Sequence, residues 1–274
     1  MKRIITLICV IGLTLCLGGC SLPWQKQKEE KTKKVQTIQS SKIDGSMKGK
    51  VLKVGVSKEM APFSYYDEKQ KKIVGFDIDI LEKISQYLGF QYELEPLSMQ
   101  QTEKKLKEKK IDLAIGGISI TDKRQKEFSF TDSYYENSLS VVVQKDSGIT
   151  DRKEIVKKTI GVEKGMSSAQ YVEDYMKDTN KIKYYTSVKK IFEDLEKGKI
   201  DATLYDTTGV QYYLDHYPQT KLQALSEQLN SEESNYGIMF SKGYEGVDKF
   251  NVALQVLQTN GDYQKIKDIW VGNK

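Results

Sequence analysis

Two short motifs occur twice in this chain, in the same order, and that recurrence limits the folds open to it. "VGVSK" at Val54 returns as "IGVEK" at Ile160, and "LKEKKIDLAI" at Leu106 returns as "LEKGKIDATL" at Leu195. The first motif of each pair reads as a buried strand, and the second as a helix end feeding another strand. Short apolar runs alternating with helix-like segments predict an α/β fold. The ordered echo predicts two lobes of similar design. Phe76, Ile80 and Ile84 recur every four residues with Leu81 and Leu88 beside them, which predicts a helix with one apolar face. Val188, Ile191 and Leu195 do the same ahead of Gly198, and Val247, Phe250, Leu254 and Leu257 mark a late helix ending at Asn260-Gly261.

Charge separates the N-terminal region from the rest. The 274-residue chain carries a formal +5, but residues 21–50 alone hold eight lysines against Glu29, Glu30 and Asp44. Residues 51–274 are slightly acidic, which argues against a nucleic-acid partner. Residues 1–20 read as an export signal: "MKR", an apolar run from Ile4 to Leu17, then "LGGC". That last tetrapeptide resembles the bacterial lipobox. It implies that Cys20 is lipidated, with palmitate among the acyl chains expected, and becomes the new N-terminus on the extracytoplasmic face of the cell membrane. Cys9 and Cys16 fall inside the signal, so no disulfide within the mature chain is expected. Residues 21–50, rich in Lys, Gln and Ser, read as a flexible tether.

In open parallel sheets, ligands sit beyond the carboxyl ends of the strands. Both "ID" strands carry notable residues there: "GGIS" after Ile115, and Asp206 after Tyr205. Gly116 and Gly117 allow close approach to the backbone, Ser119 offers a hydroxyl, and Arg124 offers a planar fork suited to a carboxylate. The same glycines could equally shape a turn, with Arg124 a surface charge. Asp206 at the equivalent end of the second half tilts the balance. A carboxylate there and a guanidinium opposite are complementary to an α-amino acid.

Two segments, "APFSYYDEKQKKIVGFDIDILEKISQYLG" and "ISITDKRQKEFSFTDSYYENS", resemble the family 3 bacterial extracellular solute-binding proteins. These are the receptors of polar amino-acid ABC importers, and the resemblance covers essentially all of residues 51–274. It implies a two-lobed, type II periplasmic-binding-protein-like fold with two crossing hinge strands. Lobe 1 is expected at 51–140, lobe 2 with the hinge strands at 141–235, and a return to lobe 1 at 236–274. The resemblance further implies that Gly117, Ser119 and Arg124 bind the ligand's α-carboxylate and Asp206 its ammonium. Ser167, in "GVEKGMSSA", falls near the carboxylate. Met60 and Met99 fall where the side chain is cradled, though relatives often present aromatic rings there, and Ser57 stands where some place an aspartate. Glu163 aligns with a pocket-lining position. Beside Met60 and Met99 it would suit a long polar or cationic side chain, as in arginine, lysine or glutamine, unless it points to solvent.

Several residues have plainer readings. Asp77 and Asp79 resemble a catalytic pair but suit the first turn of a helix. His216, the single histidine, reads as a surface residue, and no metal site or cofactor is predicted. Tyr134-Tyr135 and Tyr212-Tyr213 read as packing, and Lys164 as solvated as readily as anion-attracting. The expected partners are a free polar amino acid, basic ones included, an ABC permease with its ATPase, and the membrane through the lipid anchor, with the protein a monomer. Two rivals stand beside this. One is a cyclohexadienyl-dehydratase-like enzyme of the same fold, using Glu163 or Glu59 as acid or base. The other is a surface sensory or adhesive module.

Overall fold

Both copies of the echo become paired strands. β1 (Val51–Val56) is followed by a small antiparallel set, β2 (Glu59–Met60), β3 (Ser64–Asp67) and β4 (Lys72–Val74). Then come α1 (Phe76–Leu88), β5 (Gln91–Pro96), α2 (Met99–Lys107), β6 (Leu113–Ala114), α3 (Asp122–Glu127) and β7 (Phe128–Phe130). The chain crosses to β8 (Leu139–Gln144), β9 (Thr159–Glu163), α4 (Ser167–Tyr175), β10 (Lys181–Tyr185), α5 (Val188–Glu196), β11 (Ala202–Asp206), α6 (Thr207–His216) and β12 (Leu222–Leu229). It returns through β13 (Met239–Ser241) and finishes in α7 (Val247–Asn260) and α8 (Asp262–Trp270). This computed structural model describes residues 43–230 and 232–272. The signal segment, Cys20 and most of the expected tether lie outside the described residues.

Two mixed sheets result, ordered β5-β1-β6-β13-β7 and β10-β9-β11-β8-β12. In the first, β1 runs parallel to β6 with Val54 opposite Leu113; in the second, β9 runs parallel to β11 with Ala202 opposite Ile160. The echo is therefore structural as well as sequential. Its glycines explain why it repeats. A Cβ on Gly55 would lie 2.8 Å from Ile111 Cδ1, and one on Gly161 would lie 2.5 Å from Ile200 Cδ1. Each "GV" strand omits a side chain where the isoleucine of the following "ID" strand packs across it.

The amphipathic helices close these sheets. Phe76, Ile80, Leu81, Ile84 and Leu88 of α1 are fully buried, as are Val141, Val143, Ile160, Val162 and Leu204 in the second lobe. Val188, Ile191 and Leu195 of α5 and Phe250, Leu254 and Leu257 of α7 also turn inward. Between the lobes, two segments cross side by side. Tyr134 N–H donates to Tyr236 O at 3.0 Å, and Tyr236 N–H donates to Tyr135 O at 2.9 Å. Tyr134 and Tyr135 are thus buried at the crossing, and the second sheet starts at Leu139. Residues 43–50 are turns laid on α1. Gly45 N–H donates to Tyr87 O (2.9 Å), Met47 N–H to Leu88 O (2.8 Å), and Met47 is buried. The folded body therefore reaches upstream of Val51, because Ile43 and Met47, the two large apolar residues of an otherwise polar run, pack onto the core.

Candidate functional site

The "GGISITDKR" segment runs from the end of β6 into the first turn of α3 and meets the second lobe at Gly165 and Ser167. Thr121 caps α3, its hydroxyl accepting from Arg124 N–H at 3.2 Å. That cap sets Arg124 inward, and only 7% of the residue is exposed. Its guanidinium donates from Nη1 to Ser119 O (3.0 Å), from Nη2 to Gly165 O (2.9 Å) and from Nε to Glu103 Oε1 (3.3 Å). Gly165 belongs to the opposite lobe, so Arg124 spans the cleft. Ser119 spans it too: its hydroxyl donates to the Ser167 hydroxyl at 3.0 Å. Ser167 opens α4, whose N-terminal amides and dipole favour an anion.

Asp206 ends β11, is 2% exposed, and accepts from Asn137 Nδ2 (2.6 Å) and the Tyr236 hydroxyl (2.7 Å). Burial pushes its carboxyl up to about 6, against the pull of those two bonds and of Arg124. Glu163 ends β9 and is half-buried. Burial, then the charges of Glu59 and Asp206, push its carboxyl up to about 7. Glu59 is tied to the second lobe by the Ser187 hydroxyl, which donates to its Oε2 at 2.7 Å. Three acids therefore share one electrostatic neighbourhood between the lobes. Met60 is buried over Gly117, where a Cβ would come within 2.8 Å of Met60 Cε, and its sulfur accepts from the Tyr205 hydroxyl at 3.0 Å. Met99 is not brought beside it. Met60 belongs to the main apolar cluster, whereas Met99 packs on a separate one and faces Gly165.

One expectation changes. Gly117, expected at the ligand's α-carboxylate, adopts φ 64° and donates its N–H to Asp77 Oδ2 at 2.6 Å instead. Asp77 and Asp79 do sit in the first turn of α1, but neither caps that helix. Asp79 accepts from Trp270 Nε1 at 2.7 Å instead, and Asp77 is fully buried under the glycine loop, which raises its carboxyl to about 7. Sequence gave no signal for this, nor for Asn137, Tyr236 and Glu103, since each becomes relevant only through a contact formed at long range. His216 is exposed and stacks on Tyr212, with ring centroids 3.8 Å apart. Among the described residues, no cluster of three or more His, Cys, Asp or Glu could hold a metal ion, and no helix is long and apolar enough to cross a membrane.

Two α/β lobes, a two-segment crossing, and opposed charges buried between them define a cleft-binding receptor for a small polar solute. The chain belongs to the bacterial extracellular solute-binding proteins, family 3, which it matches over residues 52–273. It is 28% identical over 236 residues to the arginine-binding extracellular protein ArtP of Bacillus subtilis (strain 168), covering 85% of this chain and 91% of that one. It is 31% identical over 230 residues to the ABC transporter arginine-binding protein 1 of Escherichia coli (strain K12), covering 82% and 93%. Among solved structures, an ancestral arginine-binding protein bound to arginine superposes with a TM-score of 0.76. That match has 34% identity and covers 82% of this chain and 100% of the other.

Proposed function

We propose that this protein is an extracytoplasmic receptor that captures a basic amino acid, arginine foremost, between its lobes and delivers it to an ABC permease driven by an ATPase. The observation that carries this is the charge balance of the cleft. Arg124, with the α4 N-terminus at Ser167, suits the α-carboxylate, and Asp206 suits the α-ammonium. Glu163 and Glu59 then remain as surplus negative charge. A neutral side chain would leave that surplus unpaired, whereas a guanidinium or ammonium offsets it. The arginine-binding relatives support the same choice.

In this account Gly117 shapes the trap and supplies room, while Ser119 and Arg124 do the bonding. Met60 forms an adaptable apolar wall, and Met99 contributes at the mouth beside Gly165. Binding is followed by hinge closure and no chemistry. Lipidated Cys20 holds the monomer at the membrane surface. A thermal-shift screen of free amino acids tests the reading. A ligand at a hundred times its Kd adds about 2.7 kcal/mol of stability. Arginine and lysine should raise the melting temperature, and glutamate should not. A shift with glutamate alone, or with no amino acid, would contradict it.

A further inference from the structure

The Arg124 guanidinium is already partly neutralised, and by a side chain on its own lobe. Glu103 projects from α2, whose start is fixed by a reciprocal cap: Ser98 N–H donates to Gln101 Oε1 (3.0 Å), and Gln101 N–H donates to Ser98 Oγ (3.4 Å). From there Glu103 Oε1 reaches Arg124 Nε at 3.3 Å. The Glu103 side chain is 32% exposed and that of Arg124 is 7% exposed, so the acid borders solvent while the cation does not. A hollow of about 260 Å³ opens beside them, lined by Glu103, Arg124, Lys164 and Ser167 but not by Asp206 or Glu163. Helices α2 and α3 flank the same sheet, so this pair does not depend on closure of the lobes. A buried guanidinium left without a counter-ion is costly, and Glu103 supplies one whether or not a ligand is present.

We propose that Glu103 is a built-in competitor for Arg124, a positioning residue that holds the guanidinium by Nε while limiting how tightly the cleft grips an α-carboxylate. This rests on the reading of Arg124 as the carboxylate partner. An incoming carboxylate meets a cation whose field is already offset by a fixed negative charge, so its net gain is smaller. The arrangement favours ligands that add an ammonium and a cationic side chain over simple anions. It also eases release when the lobes part.

The test separates charge from shape. Glu103→Gln keeps an oxygen that can accept from Nε but removes the negative charge. In calorimetric titrations it should bind L-arginine more tightly, by roughly fivefold for a partly exposed charge pair. It should bind agmatine, which is arginine without its carboxylate, within about twofold of wild type. Unchanged or weaker arginine binding would overturn the proposal, as would an equal gain for agmatine. A ligand-free melting cycle gives an independent arm. Glu103→Gln should lower the melting temperature of the wild-type protein but not of Arg124→Ala, and an equal drop in both would overturn the pairing. If wild type fails to bind arginine, the reading of the cleft falls by itself, and the melting cycle still decides whether Glu103 neutralises Arg124.

Discussion

At Asp206, burial and hydrogen bonding oppose each other, and the balance leaves a carboxyl poised for a cation. Asn137 and Tyr236 both donate to it, yet burial dominates and its midpoint lies near 6 rather than the ordinary 3.8. A carboxyl raised in the folded state stabilises the ligand-free protein in acid, and that contribution is lost as pH rises from about 3.8 to above 6. Ligand binding has the opposite dependence, because the ammonium needs the ionised form. Affinity for arginine should therefore fall by roughly tenfold between pH 7 and pH 5 from Asp206 alone. Glu163, with its midpoint near 7, adds to the loss for arginine but not for a neutral amino acid. Titrations at both pH values, in buffers of different ionisation heat, should show proton release on binding near pH 6. Affinity that is flat across that range would remove Asp206 and Glu163 from direct contact with the ligand's cations.

The glycine loop between β6 and α3 depends on α1 beneath it. Asp77 receives the Gly117 amide, and its other oxygen, Oδ1, is buried without a hydrogen-bond partner, although the Tyr134 hydroxyl lies close enough to influence it. Asp77→Ala should cost about 1–3 kcal/mol in chemical denaturation, since a buried N–H loses its acceptor. Asp77→Asn retains an acceptor and should stay within about 1 kcal/mol of wild type; equal losses for the two variants would mean that volume, not the bond to Gly117, matters. This element also marks how far the sequence could be read. The apolar spacing of α1, α5 and α7 and the two echo strands are legible, because local periodicity and a repeated motif report on immediate neighbours. The small β2–β4 sheet, the antiparallel placing of β8 and β13, and the inward use of Asp77 are not. A first-turn acid looks alike in sequence whether it faces water or a loop forty residues away. Asp206 is legible through its place at a strand end and Arg124 through its guanidinium fork shortly after the paired glycines, whereas Glu103 and Tyr236 are unremarkable until the chain folds.

Across the whole molecule, the main apolar cluster carries residues of both lobes, such as Met60 and Tyr205, and polar bridges add to it at the rim. Besides Arg124 to Gly165, Lys123 Nζ donates to Gln170 Oε1 at 2.8 Å on the exposed rim. If closure sets affinity, Lys123→Ala should weaken arginine binding by about twofold to fivefold, the worth of one exposed hydrogen bond. Gln170→Ala should do the same, and the double variant no more. Additive losses would show that the two residues act separately. Toward the N-terminus, the proposed lipid anchor predicts a mature protein that begins at a diacylated Cys20. Two acyl chains suffice for stable membrane attachment where one does not. Mass spectrometry should find that modification, and Cys20→Ala should leave an unprocessed or released protein. The most direct test of the account is calorimetry of L-arginine, its methyl ester and its deaminated analogue against wild type, Arg124→Ala and Asp206→Ala. Each substitution should weaken arginine binding at least about a hundredfold, given bonds to charged groups of about 1.5–3 kcal/mol each. Arg124→Ala should discriminate less against the ester, and Asp206→Ala less against the deaminated form. Arginine bound as tightly by Arg124→Ala as by wild type would contradict the account.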